Sequence, residues 1–150
     1  MRSRRGFTLI EIAVVVMIVG ILAGIAIPAL QYALLRADAA RLVADANTVR
    51  NAAYAHLSEN GVFPTSGAAG VVPAQLAPHL PDNFPFVYKG VTYRWFSINS
   101  PWITSIFGTR TFAILILDYS ARPELAGPMQ GHAGANAIWG PGVFYFMFYG

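Results

Sequence analysis

The residues of this chain that could do chemistry are few and scattered. Glu11 is the one carboxylate inside an otherwise apolar N-terminal stretch, and Arg2, Arg4 and Arg5 stand just ahead of it. His56, His79 and His132 lie far apart in sequence, without metal-ligand spacing, and read as surface or loop histidines. Asp118 and Glu124 are the acids near a glycine-rich stretch, with Asn136 further on; hard cations want several oxygen ligands, so no cation site is expected there. No Ser/His/Asp grouping, phosphate-binding loop or paired carboxylates stand out. Cysteine is absent, which excludes disulfides and thiolate metal sites. The expectation is a protein that is not an enzyme and carries no cofactor or metal. The chemistry left to explain is one charge in an apolar helix.

Composition places that helix. Apolar residues make up 55 % of the 150-residue chain and charged residues 11 %, against about 45–50 % and about 25 % in an ordinary globular domain. Ile12 to Leu30 contain no charged side chain, and such a run covers roughly 28 Å as a helix, close to the bilayer hydrocarbon thickness. Arginines before it hold that end on the cytoplasmic side. Beyond residue 6, seven basic residues face seven acidic ones, so the net charge of +3 resides in the leader. That balance does not fit a nucleic-acid binder.

The elements follow from periodicity. Leu35, Ala39, Leu42, Ala46, Val49, Ala53 and Leu57 recur at four- and three-residue steps, an amphipathic stripe. Arg36, Asp38, Arg41, Asp45 and Arg50 are expected off it, with Arg41 and Asp45 forming an i,i+4 pair. Asn60-Gly61 followed by Pro64 stops the helix. One helix from about Phe7 to Asn60 is therefore expected, its first half (7–35) suited to lipid and its second to a globular head. Pro73 to Leu80 has room for a short helical turn. Phe86 to Tyr88, a tight turn at Lys89-Gly90 and Val91 to Ile98 read as a hairpin. Thr111–Asp118 and Val143–Tyr149 are further strands, and Ser120 to Gly142 reads as a long loop. The fold class is α+β: a long helix packed on a small antiparallel sheet of three or four strands at about 86–149. Trp102 to Phe107, with Phe144, Phe146, Phe148 and the alternating Tyr145, Met147 and Tyr149, would fill the head's core, one face being left for a neighbour or a covering loop.

The segment Arg4-Arg5-Gly6-Phe7-Thr8-Leu9-Ile10-Glu11 closely resembles the processing site of the type IV pilin and type II secretion pseudopilin family. An ordinary secretory signal shares the basic patch and apolar run, but its apolar core spans about 7–15 residues. It also carries no carboxylate, whose burial costs about 2.5–3.5 kcal/mol near a bilayer centre. The resemblance covers the leader and the first thirty residues; in the head, Asn60-Gly61 to Pro64, Val72-Pro73 and Leu80-Pro81 are reminiscent of the G-type pseudopilins.

The resemblance implies residues 1–6 as a leader peptide, cleavage between Gly6 and Phe7 by a prepilin peptidase, N-methylation of Phe7, and a head spanning 36–150. It implies that Glu11 serves assembly by meeting the Phe7 ammonium of a neighbouring subunit. Gly20 and Gly24 are then sites of close helix packing, and Pro28 marks a stretch that loses helical order in the fibre. The implied function is a structural subunit of a type IV pilus-like or type II secretion filament. The implied location is the inner membrane, single-pass, head outside the cytoplasm, and then a periplasmic or extracellular filament. The implied partners are sibling pilins, an inner-membrane platform protein and membrane lipid. The alternative is a minor tip pilin that binds DNA, a surface or a secreted substrate; from Arg36 onward seven bases against six acids give little electrostatic support for nucleic acid.

Overall fold

The structure is a computed structural model, which describes residues 7–99, 111–132 and 137–150. Gly6, Trp102 to Phe107 and Asn136 lie outside the described residues. The first element, α1, is a helix at Leu9–Asn60. It ends where the periodicity stops, with Gly61 in the left-handed region (φ 72°) and its amide donating to the Leu57 carbonyl at 2.7 Å. By contacts the chain divides into two compact units, Met1–Leu35 and Arg36–Gly150.

In the second unit a 3-10 turn at Ala77–His79 leads to five strands: β1 at Val87–Tyr88, β2 at Val91–Asn99, β3 at Thr111–Asp118, β4 at Ala137–Gly140 and β5 at Val143–Tyr149. All described pairings are antiparallel, in the order β1-β2-β3-β5-β4. Lys89 (φ 46°) and Gly90 (φ 85°) close the β1–β2 hairpin as a two-residue turn, and positive φ at both positions is what such a turn with matching twist requires. The expected long loop between Ser120 and Gly142 is corrected. It holds a 3-10 turn at Pro123–Leu125, a short helix α2 at Ala126–Gln130, and β4, so the sheet has five strands. Leu125 and Met129 are fully buried, which is why this glycine-rich stretch acquires fixed structure.

The core lies between the α1 stripe and one sheet face. Tyr93, Leu117 and Phe144 stand abreast on three strands, and Trp95 and Leu115 pair beside them; all five are fully buried. Ala39, Leu42, Ala46, Val49 and Ala53 of α1 are buried as well, and small residues on a helix allow close approach to a sheet. Trp95 stacks on Phe148, and its indole donates to the Pro64 carbonyl at 2.9 Å. Beyond the two residues of β1, the exposed edge of β2 is taken by the irregular chain: Gly67 and Gly70 donate to the carbonyls of Trp95 and Tyr93. That pairing blunts a sheet edge that would otherwise be open to aggregation.

Asp38 and Asp45 depart from the expected solvent-facing positions: both are buried. Each is compensated from several sides. Asp45 accepts from Arg41 Nε at 3.0 Å and from the buried Tyr93 hydroxyl at 3.0 Å. Burial, then the charge of Asp45 and that hydrogen bond, push the Tyr93 phenol well up, so it stays a neutral donor. Asp38 accepts from Lys89 Nζ and Arg122 Nη1, each at 2.9 Å, and from the Tyr88 hydroxyl at 3.2 Å. One carboxylate thereby ties α1 to the β1–β2 turn and to the segment after β3.

Burial alone would raise the Asp38 pKa, but the hydrogen bonds from Lys89 and Arg122, the Lys89 charge and the Tyr88 hydroxyl together hold it below the ordinary value of 3.8. A depressed carboxyl pKa contributes stability that is full above the unfolded value and is lost as pH falls through the folded one. A chain beginning at Ala33 is therefore expected to be soluble, to unfold cooperatively, and to lose stability from Asp38 only below about pH 4. In it, Asp38→Asn should cost about 1–3 kcal/mol at pH 7 and flatten that acid limb; urea unfolding at pH 7 and pH 3 measures both.

Candidate assembly site

Among its described residues the N-terminal unit has no core of its own. Phe7 is 84 % exposed and Leu9 89 % exposed, and the large apolar side chains from Ile10 to Leu34 are exposed around the helix. Among the described residues, α1 is the one helix long and apolar enough to cross a membrane. Such a surface is stable only against lipid or other apolar helices.

Its first turn is organised by polar groups. Thr8 precedes the first helical residue, and its carbonyl accepts the first turn's hydrogen bond from the Ile12 amide at 3.3 Å. The Thr8 side-chain oxygen accepts from the Glu11 amide at 3.3 Å, while Glu11 Oε2 accepts from the Thr8 amide and the Thr8 hydroxyl, each at 2.7 Å. This is a capping box: two otherwise orphaned amides are satisfied reciprocally, and a carboxylate sits at the positive end of the helix dipole. In lipid such local satisfaction matters more than in water, because no solvent is present to replace it. The Thr-x-x-Glu spacing is legible in the sequence, yet sequence reasoning weighed Glu11 as a charge and missed Thr8 as its partner.

The other expected residues fall on the same helix. Phe7 lies just outside it, two residues ahead of its start. Gly20 and Gly24 have open space where a side chain would stand, and Pro28, four residues on, lies within a helix that continues unbroken through it. The spacing places all three on one face.

The expectation of surface or loop histidines is corrected for one of the three, His56. His56 is buried, and its ring meets that of His79 edge-on with centroids 5.7 Å apart. The 3-10 turn returns the chain to the helix, a contact of residues 23 positions apart that no spacing rule reports. The acids after β3 are engaged locally. Glu124 pairs with Arg122 at 3.0 Å, and Asp118 accepts from the Ser120 amide at 3.0 Å. Among the described residues no cluster of three or more His, Cys, Asp or Glu could hold a metal ion.

Comparison with known proteins adds to this geometry. Residues 1–27 match the family model described as the prokaryotic N-terminal methylation motif. The chain is 36 % identical over 84 residues to the type II secretion system core protein G of Escherichia coli K12, covering 55 % of this chain and 58 % of that protein. It is 41 % identical over 66 residues to the core protein G of Vibrio cholerae, covering 44 % and 45 %. Against a type IV major pilin of Neisseria gonorrhoeae it is 38 % identical over 68 residues, covering 45 % and 32 %. The chain thus spans about half the length of the core G proteins it matches, and less of the pilin. No solved structure gives a match.

The capping box makes its own prediction. Thr8→Val should speed hydrogen exchange at the amides of the first helical turn, since a lost N-cap costs about 0.5–2 kcal/mol, whereas Thr8→Ser should leave it near the parent rate. Amide exchange of the full chain in detergent micelles reads this directly.

Proposed function

We propose that this chain is a structural subunit of a type II secretion or type IV pilus-like filament, processed at its N-terminus and assembled through α1. The observation that carries the reading is a methylation motif leading straight into a helix whose apolar side chains are exposed on every side. Lipid satisfies that surface before assembly, and neighbouring helices of the same kind satisfy it afterwards. The coupling of this motif with pilin and core protein G relatives supports a role in assembly.

Processing is the first step. A prepilin peptidase cuts between Gly6 and Phe7, removing Arg2, Arg4 and Arg5 and leaving an ammonium at Phe7, which is then methylated. The new charge arises four residues before Glu11, one helical turn away. In its own subunit that carboxylate is already engaged by Thr8. In the filament it neutralises the ammonium of an adjoining subunit, and this pairing sets the axial register between neighbours. Gly20 and Gly24 offer the surface for close helix approach, and Pro28 is where helical order gives way in the assembled fibre. The subunit sits in the inner membrane with its head outside the cytoplasm, and a membrane platform protein receives it.

Two measurements test the reading. Intact mass of the protein from its native membranes should correspond to a chain starting at Phe7 with one added methyl group; a start between residues 24 and 40 would establish an ordinary secretory signal instead. Glu11→Ala and Glu11→Gln should both insert in the membrane, because removing a carboxylate lowers the transfer cost. Both should fall sharply in the ratio of filament to membrane subunit, because an ammonium in a low-dielectric bundle loses its compensating charge. Gln retains shape and hydrogen bonding, so equal loss in both variants assigns the effect to charge. Assembly at the parent level, with processing intact, would refute a register-setting role for Glu11.

A further inference from the structure

Among the described residues of the head, three charged side chains join no ion pair and no hydrogen bond: Arg50, Arg94 and Asp82. All three are exposed. Arg94 stands between the core-facing Tyr93 and Trp95, so strand alternation puts it on the outer sheet face, away from α1. Arg50 and Asp82 lie instead on opposite sides of α1.

Arg50 shares its side of the helix with Tyr54, one turn on. The Tyr54 hydroxyl donates to the Tyr149 carbonyl at 3.2 Å and its ring meets Phe148 edge-on, so this side borders β5. Beyond β5 lies the edge strand β4, with Ile138 and Trp139 exposed. The other side carries Arg41, Thr48, Ala55 and Glu59, at seven- and four-residue steps. Arg41 lies over the Tyr88 ring of β1, so this side borders the opposite edge of the sheet. There Thr48, Asn51 and Ala55 form a groove of about 440 Å³ with Pro78 to Pro81. Asp82 follows Pro81 directly, and the exposed Glu59 meets His79 of the groove at 3.5 Å. The charge of Arg41 is taken by Asp45. One side of α1 therefore presents an unpaired cation beside apolar side chains, and the other a groove with an acidic rim.

We propose that these two sides are complementary halves of one contact between copies of this chain, in which Arg50 of one subunit meets Asp82 of the next at the groove. The proposal rests on the filament reading and names the head contact within it. The charges choose the symmetry. A two-fold contact through either side would bring Arg50 toward Arg50 or Asp82 toward Asp82, which like-charge repulsion disfavours. Joining the unlike sides is heterologous, and repeating such a contact builds an open helical array wherever it does not close into a ring. The exposed side chains of β4 supply apolar area, while the ion pair supplies register, since a surface pair alone contributes little.

Charge reversal in the full chain, in its native host, tests this. Arg50→Asp and, separately, Asp82→Arg should each lower the ratio of filament to membrane subunit about fivefold, the scale of a lost surface pair plus a like-charge clash. Combining the two should return the ratio to near the parent value, and Arg94→Asp should leave it unchanged. Because the chain has no cysteine, Arg50→Cys with Asp82→Cys can be joined cleanly by a short bismaleimide. That variant should give a ladder of multimers, and each single cysteine none. A double reversal as poor as either single one, a single reversal without effect, or a dimer from one cysteine alone would overturn the pairing while parent filaments stand. A parent that is processed but forms no filament would instead remove the filament reading, and the pairing with it.

Discussion

Every feature of this molecule answers to the burial of one helix in two different surroundings. Along its first half α1 offers apolar side chains in every direction, and no described residue of its own unit covers them. From Arg36 onward the same helix contributes one stripe to a core and leaves the other side to water. A surface of the first kind cannot persist in water, because each exposed methylene costs about 0.8 kcal/mol relative to burial. The first half therefore calls for apolar surroundings, and the second half for a sheet.

The carboxylates of Glu11, Asp38 and Asp45 sit where their compensation is built in. The Thr8–Glu11 capping box is local and would survive the move from water to lipid, since its donors and acceptors lie within four residues. The head solves the same problem by long-range contacts. Asp38 draws its partners from 50 to 84 positions away, and Asp45 draws Tyr93 from 48. A buried carboxylate with one missing partner is strongly unfavourable, so these contacts fix where the β1–β2 turn and the segment after β3 rest against the helix. Neighbouring Arg41 also lies over the Tyr88 ring, 5.5 Å from its centroid, which joins the two acidic centres into one network.

The second face of the sheet shows how far apolar strands can be used. Phe96 and Ile114 pair across it, as do Ile114 and Met147, so this face is apolar at its middle, with Arg94, Thr92 and Asp118 toward one end. An antiparallel sheet with one solvated face would alternate with polar residues. At the β4 edge Ile138 and Trp139 are 52 % and 62 % exposed, more apolar surface than a lone soluble head needs.

The sequence by itself determined the long helix, its change of character near Leu35, the Lys89-Gly90 hairpin and the strands at Thr111–Asp118 and Val143–Tyr149. These are properties of short windows: periodicity, breakers and turn residues act within a few positions. The methylation motif was legible for the same reason, being eight contiguous residues. Tertiary structure alone decided that Asp38, Asp45 and His56 are buried, that β4 and α2 form inside a glycine-rich stretch, and that His56 meets His79. Each of these depends on partners far along the chain, and the helical stripe looks the same whether a carboxylate at its border faces water or an arginine delivered from 84 residues away.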